Sequence, residues 1–241
     1  MKRWFAIAVG SLAVLTLFGT ALSGPALANT ALASPLQTSS DTSTSWAGYY
    51  LSGANGAFSS VSASWTVPTA TCVAGDQYVA FWVGLDGVSS DSVEQVGMDA
   101  DCTSGSPDYY GWYEMYPADP VFFSNTVSPG DSMSASVTFS GADTYTLVLA
   151  DSTAGWTHTI TKNESGLARS SAEVVTQGPG TSGKVTDFGK ITYTACQVNG
   201  TSMGTQDPTG VTMVNGSGKT LVSTSAMTSA GKFTNTWVRP S

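Results

Sequence analysis

Four segments of this sequence gather the side chains best suited to chemistry, namely carboxylates, amides and aromatic rings. The segments are residues 81–87 (FWVGLDG), 93–99 (VEQVGMD), 110–117 (YGWYEMYP) and 172–175 (AEVV). A carboxylate can take a proton from water as the water attacks a peptide carbonyl, and can then pass it to the leaving amine. An amide can donate a hydrogen bond to the developing oxyanion at any pH. These groups could hydrolyse peptide bonds, and we expect no cofactor and no metal.

Other hydrolytic mechanisms lack the residues they need. The only histidine, His158, shares a predicted strand face with Trp156 and Ile160, so we expect a packed or edge position for it. No nucleophile elbow with a matching histidine context and no His-Glu-x-x-His motif occurs, so neither a Ser-His-Asp hydrolase nor a zinc peptidase is supported. The Asp-Thr-Gly and Asp-Ser-Gly signatures of the usual aspartic peptidases are absent as well.

The elements that must position these groups are strands. Apolar and small polar residues alternate in steps of two over residues 61–67, 133–139 and 145–149, and turn sequences such as SPGD (128–131) and NGSG (215–218) separate the runs. This alternation indicates half-buried strands. No amphipathic helix is evident. Many short strands at close spacing predict an all-β protein, an antiparallel β-sandwich.

Treating the four chemical segments as strands assigns their side chains to faces, because successive side chains point to opposite sides. Trp82 and Asp86 then share one face, and Phe81, Val83 and Leu85 take the core face. The third segment has a polar and aromatic face formed by Tyr110, Trp112, Glu114 and Tyr116. Such a face suits a groove for an extended polymer, since aromatic rings give contact area while acids and amides give direction.

Six motifs in order give the chain a specific resemblance. They are WAG (46–48), WTVP (65–68), WVGLDG (82–87), QVGMD (95–99), WYEMYP (112–117) and AE (172–173). In their order and spacing, over residues 45–187, the chain resembles the glutamic peptidases, or eqolisins. The resemblance implies a secreted acid endopeptidase and a concanavalin-like sandwich of two large antiparallel sheets.

The resemblance also implies the roles of individual residues. Glu173 matches the catalytic glutamate, the general base that activates water, and Gln95 matches the glutamine that stabilises the tetrahedral oxyanion. The positions that match residues lining the substrate cleft are Trp82, Asp86, Asp99, Trp112 and Glu114. The chain departs from the family pattern at Val174, where a larger residue is usual, and at Gln177, where a second acid is usual. These departures bear on substrate preference.

The first 28 residues have the features of a signal peptide. Lys2 and Arg3 precede an apolar run, and an Ala-Leu-Ala triplet at 26–28 provides a small-x-small cleavage site. We therefore expect a secreted, extracellular protein. Residues 29–44 are rich in Ser, Thr, Ala and Pro and read as a disordered arm or a short pro-segment. Residues 45–241 are predicted to form one peptidase domain.

The mature chain would be strongly acidic. Residues 1–28 carry two of the nine basic residues and none of the seventeen acidic ones, which leaves a formal charge of −10. Such a surface repels nucleic acid and anionic membranes. We expect a monomer that acts on proteins or peptides, without a nucleic-acid partner and without a membrane partner once the signal peptide is removed.

Three cysteines remain to be placed. Cys72 and Cys102 both lie in loops rich in Gly, Asp and Ser, and an exported chain meets oxidising conditions. They are the preferred disulfide pair, although spacing alone does not fix the pairing. Cys196 lies within a strand-like run and is predicted to be a buried thiol.

Two other functions fit parts of the pattern. A secreted carbohydrate-binding sandwich without catalytic activity could stack sugar rings on Trp82, Trp112 and Tyr116. A glycosidase could use Glu114 with Asp99, provided that the two carboxyls stand at the required separation.

Overall fold

The computed structural model describes residues 39–73 and 75–241. The predicted signal peptide and the first part of the predicted arm lie outside the described residues. In this part of the chain the strands are β1 (Ser40–Ser43), β2 (Trp46–Ser52), β3 (Ser60–Thr66), β4 (Gln77–Tyr78), β5 (Ala80–Asp86), β6 (Val93–Asp101), β7 (Asp108–Tyr116), β8 (Val121–Phe122), β9 (Ser132–Phe139), β10 (Thr144–Asp151), β11 (Trp156–Asn163), β12 (Ser171–Gln177), β13 (Lys184–Val185), β14 (Lys190–Val198), β15 (Thr201–Ser202), β16 (Thr209–Val214), β17 (Thr220–Thr224) and β18 (Phe233–Trp237). Two 3₁₀ helices span Gly180–Ser182 and Met203–Thr205.

Most of the strands join one continuous sheet, whose order is β11-β10-β9-β3-β14-β18-β17-β16-β2-β12-β5-β6-β7-β8. All neighbours along this path are antiparallel, whereas β1 pairs with β16 in parallel. The sheet bends, so that β5 and β6 of one half pack against β3, β9 and β10 of the other. The predicted antiparallel sandwich is confirmed, and its two layers share hydrogen bonds through β16, β17 and β18.

The main core lies between the two layers, and the alternation of the sequence explains how it forms. Strands β3, β9 and β10 bury every second residue, as the two-residue pattern predicts. From the facing layer, Phe81, Val83 and Leu85 enter the same core, as predicted. The opposite face of β5 contributes Trp82 to a second apolar cluster, which also contains Trp46 and the other residues of the cleft side.

The N-terminal boundary differs from the sequence prediction. Ser40–Ser43 form β1, which lies inside the stretch 29–44 that was predicted to be a disordered arm or pro-segment. The strand is held by backbone pairing with residues 210–213 of β16. Backbone pairing does not depend on side-chain type, so a segment without hydrophobic periodicity can still become a strand.

The predictions for cysteine and histidine are confirmed. Cys72 and Cys102 form a disulfide, and Cys196 is a buried free thiol on β14. His158 stacks on Phe123, with the two ring centroids 4.0 Å apart, and its Nε2 lies 2.7 Å from Asn125 Oδ1. This is the packed position expected of it. None of the helices in the described ranges is long and apolar enough to cross a membrane.

Candidate active site

The two residues predicted to be catalytic lie in one row across the sheet. Glu173 on β12 pairs with Gly84 on β5, Gly84 pairs with Gln95 on β6, and Gln95 pairs with Glu114 on β7. Directly paired residues of antiparallel strands point their side chains to the same face. Since neighbouring strands are about 4.8 Å apart, the backbones of Glu173 and Gln95 stand roughly 10 Å apart. Their side chains therefore face the space above a residue that has no side chain.

Gly84 allows the indole ring of Trp82 to pack closely against the backbone. A Cβ added to Gly84 would lie 2.9 Å from Cζ3 of Trp82 and 3.3 Å from Cβ of Gln95. The indole N–H of Trp82 donates to Oε1 of Gln177 over 2.9 Å, which fixes the ring plane. The ring thus forms the floor beside the Glu173–Gln95 row, and a larger residue at position 84 would displace it.

Gln95 is oriented by Glu114. Its Nε2 donates a hydrogen bond to Oε2 of Glu114, and both side chains are buried. The Oε1 atom of Gln95 has no hydrogen-bond partner among the described residues. Burial raises the pKa of Glu114 to about 8, and the hydrogen bond from Gln95 opposes this rise. One N–H of the amide is therefore committed to Glu114, and the second remains for another acceptor.

Glu173 is fully buried, and neither of its carboxyl oxygens has a hydrogen-bond partner within the described part of the chain. Burial raises its pKa well above the usual value, because the charged form loses its hydration. Electrostatic repulsion by Asp86, and by Glu94 where it is ionised, raises it further, whereas the hydroxyl of Ser171 acts in the opposite direction. Burial thus favours the protonated form of this carboxyl.

Asp99 forms the next polar group along the cleft. Its Oδ1 accepts a hydrogen bond from Nε1 of Trp112 over 2.6 Å. The hydroxyl of Tyr110 lies 3.1 Å from Oδ2 of Asp99 and 2.5 Å from Oδ2 of Asp101. Burial and the neighbouring charge of Asp101 raise the pKa of Asp99. The single hydroxyl proton of Tyr110 is thus shared between two neighbouring acids.

Asp86 has a different position from the one predicted. It is fully buried at the end of β5 with a φ of 67°, and its Oδ2 accepts the backbone N–H of Arg169 over 2.7 Å. Its Oδ1 accepts the backbone N–H of Ser170 over 2.8 Å. The carboxylate therefore anchors the segment that leads into β12 and its Glu173. It supports the site from behind and does not line the open cleft.

An open cleft lies beside these residues. Of the predicted site residues, it brings together Gln95, Asp99 and Trp112. Glu114 contacts the cleft through Gln95, while Glu173 and Trp82 lie buried beside it. Because Trp82 and Trp112 are only 0% and 2% exposed, their ring faces cannot stack on a sugar, which disfavours the carbohydrate-binding alternative.

Sequence reasoning missed several residues of this cleft. They are Tyr78, Asp101 and the backbone around Gly178 and Pro179. Asp101 lies two residues after Asp99 on β6, so a strict reading of strand alternation could have placed both acids on one face. Tyr78 lies in a two-residue strand that has no periodic signal.

The described residues include no group of three or more His, Cys, Asp or Glu side chains that could hold a metal.

Comparison with known proteins establishes the class of protein: the chain is a peptidase. Residues 44–237 match the model of the Peptidase A4 family. The chain therefore belongs to this family, the eqolisins or glutamic peptidases, as the six motifs suggested. No curated protein gives a significant sequence match.

Solved structures agree with this assignment. Scytalido-glutamic peptidase, crystallised with a transition state analog inhibitor, is 26% identical with a TM-score of 0.69, and the match covers 81% of this chain and 98% of that one. Aspergilloglutamic peptidase from Aspergillus niger is 28% identical with a TM-score of 0.58, covering 67% of this chain and 99% of that one. SCP-B, an eqolisin in complex with the tripeptide Ala-Ile-His, shares the fold at 24% identity, with a TM-score of 0.65 and coverage of 81% and 98%.

Proposed function

We propose that this glutamic peptidase is a secreted, monomeric endopeptidase that uses Glu173 as its general base and Gln95 as its oxyanion donor, and that it works at acid pH. The observation that carries the proposal is the row Glu173–Gly84–Gln95, in which an acid and an amide face one space from either side of a glycine. Family membership supports the reaction class, and the row supports the choice of residues.

The chemistry follows from what each side chain can donate or accept. Ionised Glu173 takes a proton from water, and the resulting hydroxide attacks the scissile carbonyl carbon. The carbonyl oxygen becomes an oxyanion, which accepts the Nε2 hydrogen of Gln95 that Glu114 does not use. Glu173 then gives its proton to the leaving nitrogen as the C–N bond breaks, so that the carboxylate is restored. A hydrogen bond of this kind contributes roughly 3 kcal/mol in other enzymes.

The buried carboxyls support acid working conditions. Glu94, Asp99, Glu114 and Glu173 all have a raised pKa, mainly because of burial. A carboxyl whose pKa is raised on folding stabilises the fold fully below its unfolded pKa, and this contribution is lost as the pH rises through the folded value. For Glu114 and Glu94 those folded values are about 8 and about 9. The fold is therefore favoured in acid.

The same pKa values shape the expected activity profile. As a base, Glu173 must be ionised, and its raised pKa places the acid limb of kcat/KM above 4.5, the ordinary value for glutamate. The alkaline limb should follow from ionisation of Glu114 near pH 8, which places a charge on the partner of Gln95. We therefore expect a bell-shaped profile that is bounded on the acid side by the ionisation of Glu173 and on the alkaline side by the ionisation of Glu114.

Three variants measured on a denatured protein substrate test the assignment. Glu173→Gln keeps the size of the side chain but removes the base, and Gln95→Ala removes the oxyanion donor, so each should lower kcat by about 100-fold or more. Glu114→Gln keeps a hydrogen-bonding group beside Gln95 and should retain part of the activity, with a larger effect on KM. At acid pH the variants should melt close to the parent, since none opens a large apolar cavity.

The ranking of these variants decides the proposal. Near-parental turnover by Glu173→Gln together with an inactive Glu114→Gln would move the catalytic role to Glu114. Loss of parental activity on addition of a chelator would reveal a metal-dependent reaction.

Mass spectrometry of the secreted protein tests export. The mature chain should begin at Asn29 or later, and retention of residues 1–28 would contradict export.

A further inference from the structure

Ser171 lies where it can act on Glu173. The two residues are separated by one position on β12, so their side chains point to the same face of the strand. Ser171 is fully buried, and its Oγ accepts a hydrogen bond from the backbone N–H of Val88 over 3.2 Å. That contact uses a lone pair of Oγ and leaves the hydroxyl proton to be donated elsewhere.

The environment of Glu173 makes this hydroxyl important. A base must carry a charge, but burial opposes the charge, and so do Asp86 on β5 and Glu94 on β6. Tyr50 on β2, the cross-strand neighbour of Glu173, is the other titratable group that faces it. Among the described groups that act on the carboxyl, Ser171 is the one that favours the ionised form. A hydroxyl can do so because it donates a hydrogen bond to a carboxylate.

We propose that Ser171 is a positioning residue whose hydroxyl donates a hydrogen bond to the Glu173 carboxylate and thereby keeps this carboxyl competent as a base. The inference rests on the proposed role of Glu173. Neither oxygen of Glu173 has a hydrogen-bond partner in the described residues, and the buried Ser171 hydroxyl on the same strand face is placed to supply one. The backbone N–H of Val88 orients the serine for this donation.

The donor of the Val88 contact belongs to the loop of residues 87–92, which joins β5 to β6. The loop is stabilised internally, because the N–H of Gly87 donates to Oγ of Ser90 and that hydroxyl donates to the carbonyl of Ser92. The side chain of Val88 is buried in the apolar cluster of the cleft side, together with Trp82. The loop of residues 87–92 thus contacts Ser171 through the backbone N–H of Val88, and Ser171 lies beside Glu173 on the same strand face.

The test compares the pH dependence of kcat/KM for the parent with that for Ser171→Ala and Ser171→Thr. Removal of the hydroxyl should move the acid limb to higher pH, so that kcat/KM falls about tenfold on the acid side while the plateau stays within about twofold. Ser171→Thr retains the hydroxyl and should restore the parental limb. A purely structural role would lower the melting temperature without moving the limb.

Thr176→Val is the matched control. Thr176 lies on the same strand but on the core face, where its buried hydroxyl contacts the hydroxyl of Tyr193 over 3.0 Å and accepts from Nδ2 of Asn235 over 2.9 Å. Its replacement should lower the melting temperature and leave the pH profile in place.

Two results would overturn the inference: a Ser171→Ala profile that superimposes on the parental one, or a Thr176→Val variant that moves the limb equally far. Failure of the proposed function is a separate outcome, because it would appear as undiminished turnover of Glu173→Gln.

Discussion

Replacing Glu94 with glutamine should stabilise the fold at neutral pH and leave its stability nearly unchanged in acid. Glu94 points from β6 into the main core, in a row with Leu85 of β5 and Met115 of β7. It is fully buried, and within the described ranges neither carboxyl oxygen has a hydrogen-bond partner. Burial, followed by the charge of Asp86, raises its pKa from 4.5 to about 9.

The size of the effect follows from this pKa difference. Between pH 4.5 and about 9 the folded chain holds a proton on Glu94 that the unfolded chain has released, so stability falls as the pH rises. Each pH unit costs about 1.4 kcal/mol of unfolding free energy, which amounts to roughly 3 kcal/mol at pH 7 and roughly 6 kcal/mol at pH 9. Glutamine has the same shape without the proton, and the variant escapes this loss. For a domain of this size the gain at pH 7 corresponds to a melting temperature higher by about 6–12 °C.

Urea unfolding followed by tryptophan fluorescence, at pH values from about 4 to about 8, measures the effect. The quantity of interest is the difference in unfolding free energy between Glu94→Gln and the parent, plotted against pH. The control is Glu164→Gln, since Glu164 is exposed and its replacement also removes one carboxyl. This control should give a nearly flat difference.

A flat difference for Glu94→Gln would refute the reasoning, because it would mean that Glu94 titrates alike in the folded and unfolded chains. A variant that is less stable than the parent at every pH would show instead that the carboxyl forms hydrogen bonds that glutamine cannot replace.

Three further changes have defined outcomes. Replacing Cys72 and Cys102 with alanine removes a link across 30 residues and should cost roughly 3–4 kcal/mol in denaturant unfolding. Activity should fall too, because the link ends next to β6, the strand that carries Gln95, and unchanged kinetics would contradict that connection. Gly84→Ala should destabilise the fold by about 1–3 kcal/mol and lower kcat, since the new methyl group displaces the ring of Trp82. A kcat equal to that of the parent would show that catalysis does not depend on the position of this ring. Cys196, whose thiol pKa burial raises to about 12, should react with alkylating reagents only after unfolding, as mass spectrometry of native and denatured samples would show.

Local sequence patterns predicted the strands that are exposed on one face. Residues 133–139 and 145–149 alternate because one face meets the core and the other meets water, and the structure has β9 and β10 there. Strand β12 gives no such signal, because six of its seven residues are buried and both of its faces are covered. Its place in the site was predicted from motif resemblance alone.

The chemical state of the site could not be predicted from local sequence. Burial raises the pKa of Glu173, but its burial depends on which elements cover the strand, and those elements come from distant parts of the chain. Strand alternation placed Asp86 on the same face as Trp82, and the family resemblance implied that it lines the cleft. Its positive φ turns the carboxylate toward the backbone of Arg169 and Ser170 instead, and alternation does not describe a residue at a strand end.

The continuity of the sheet bears on autolysis, the cleavage of one copy of the peptidase by another. Since β16, β17 and β18 connect the layers by backbone hydrogen bonds, one layer cannot separate from the other without breaking a ladder that both share. We therefore expect the separation of the two layers to require global unfolding, whereas loops can still open locally. A peptidase cleaves extended chain segments. A molecule whose layers do not separate therefore exposes few segments that another copy of the peptidase could cleave. The bent sheet thus provides resistance to autolysis.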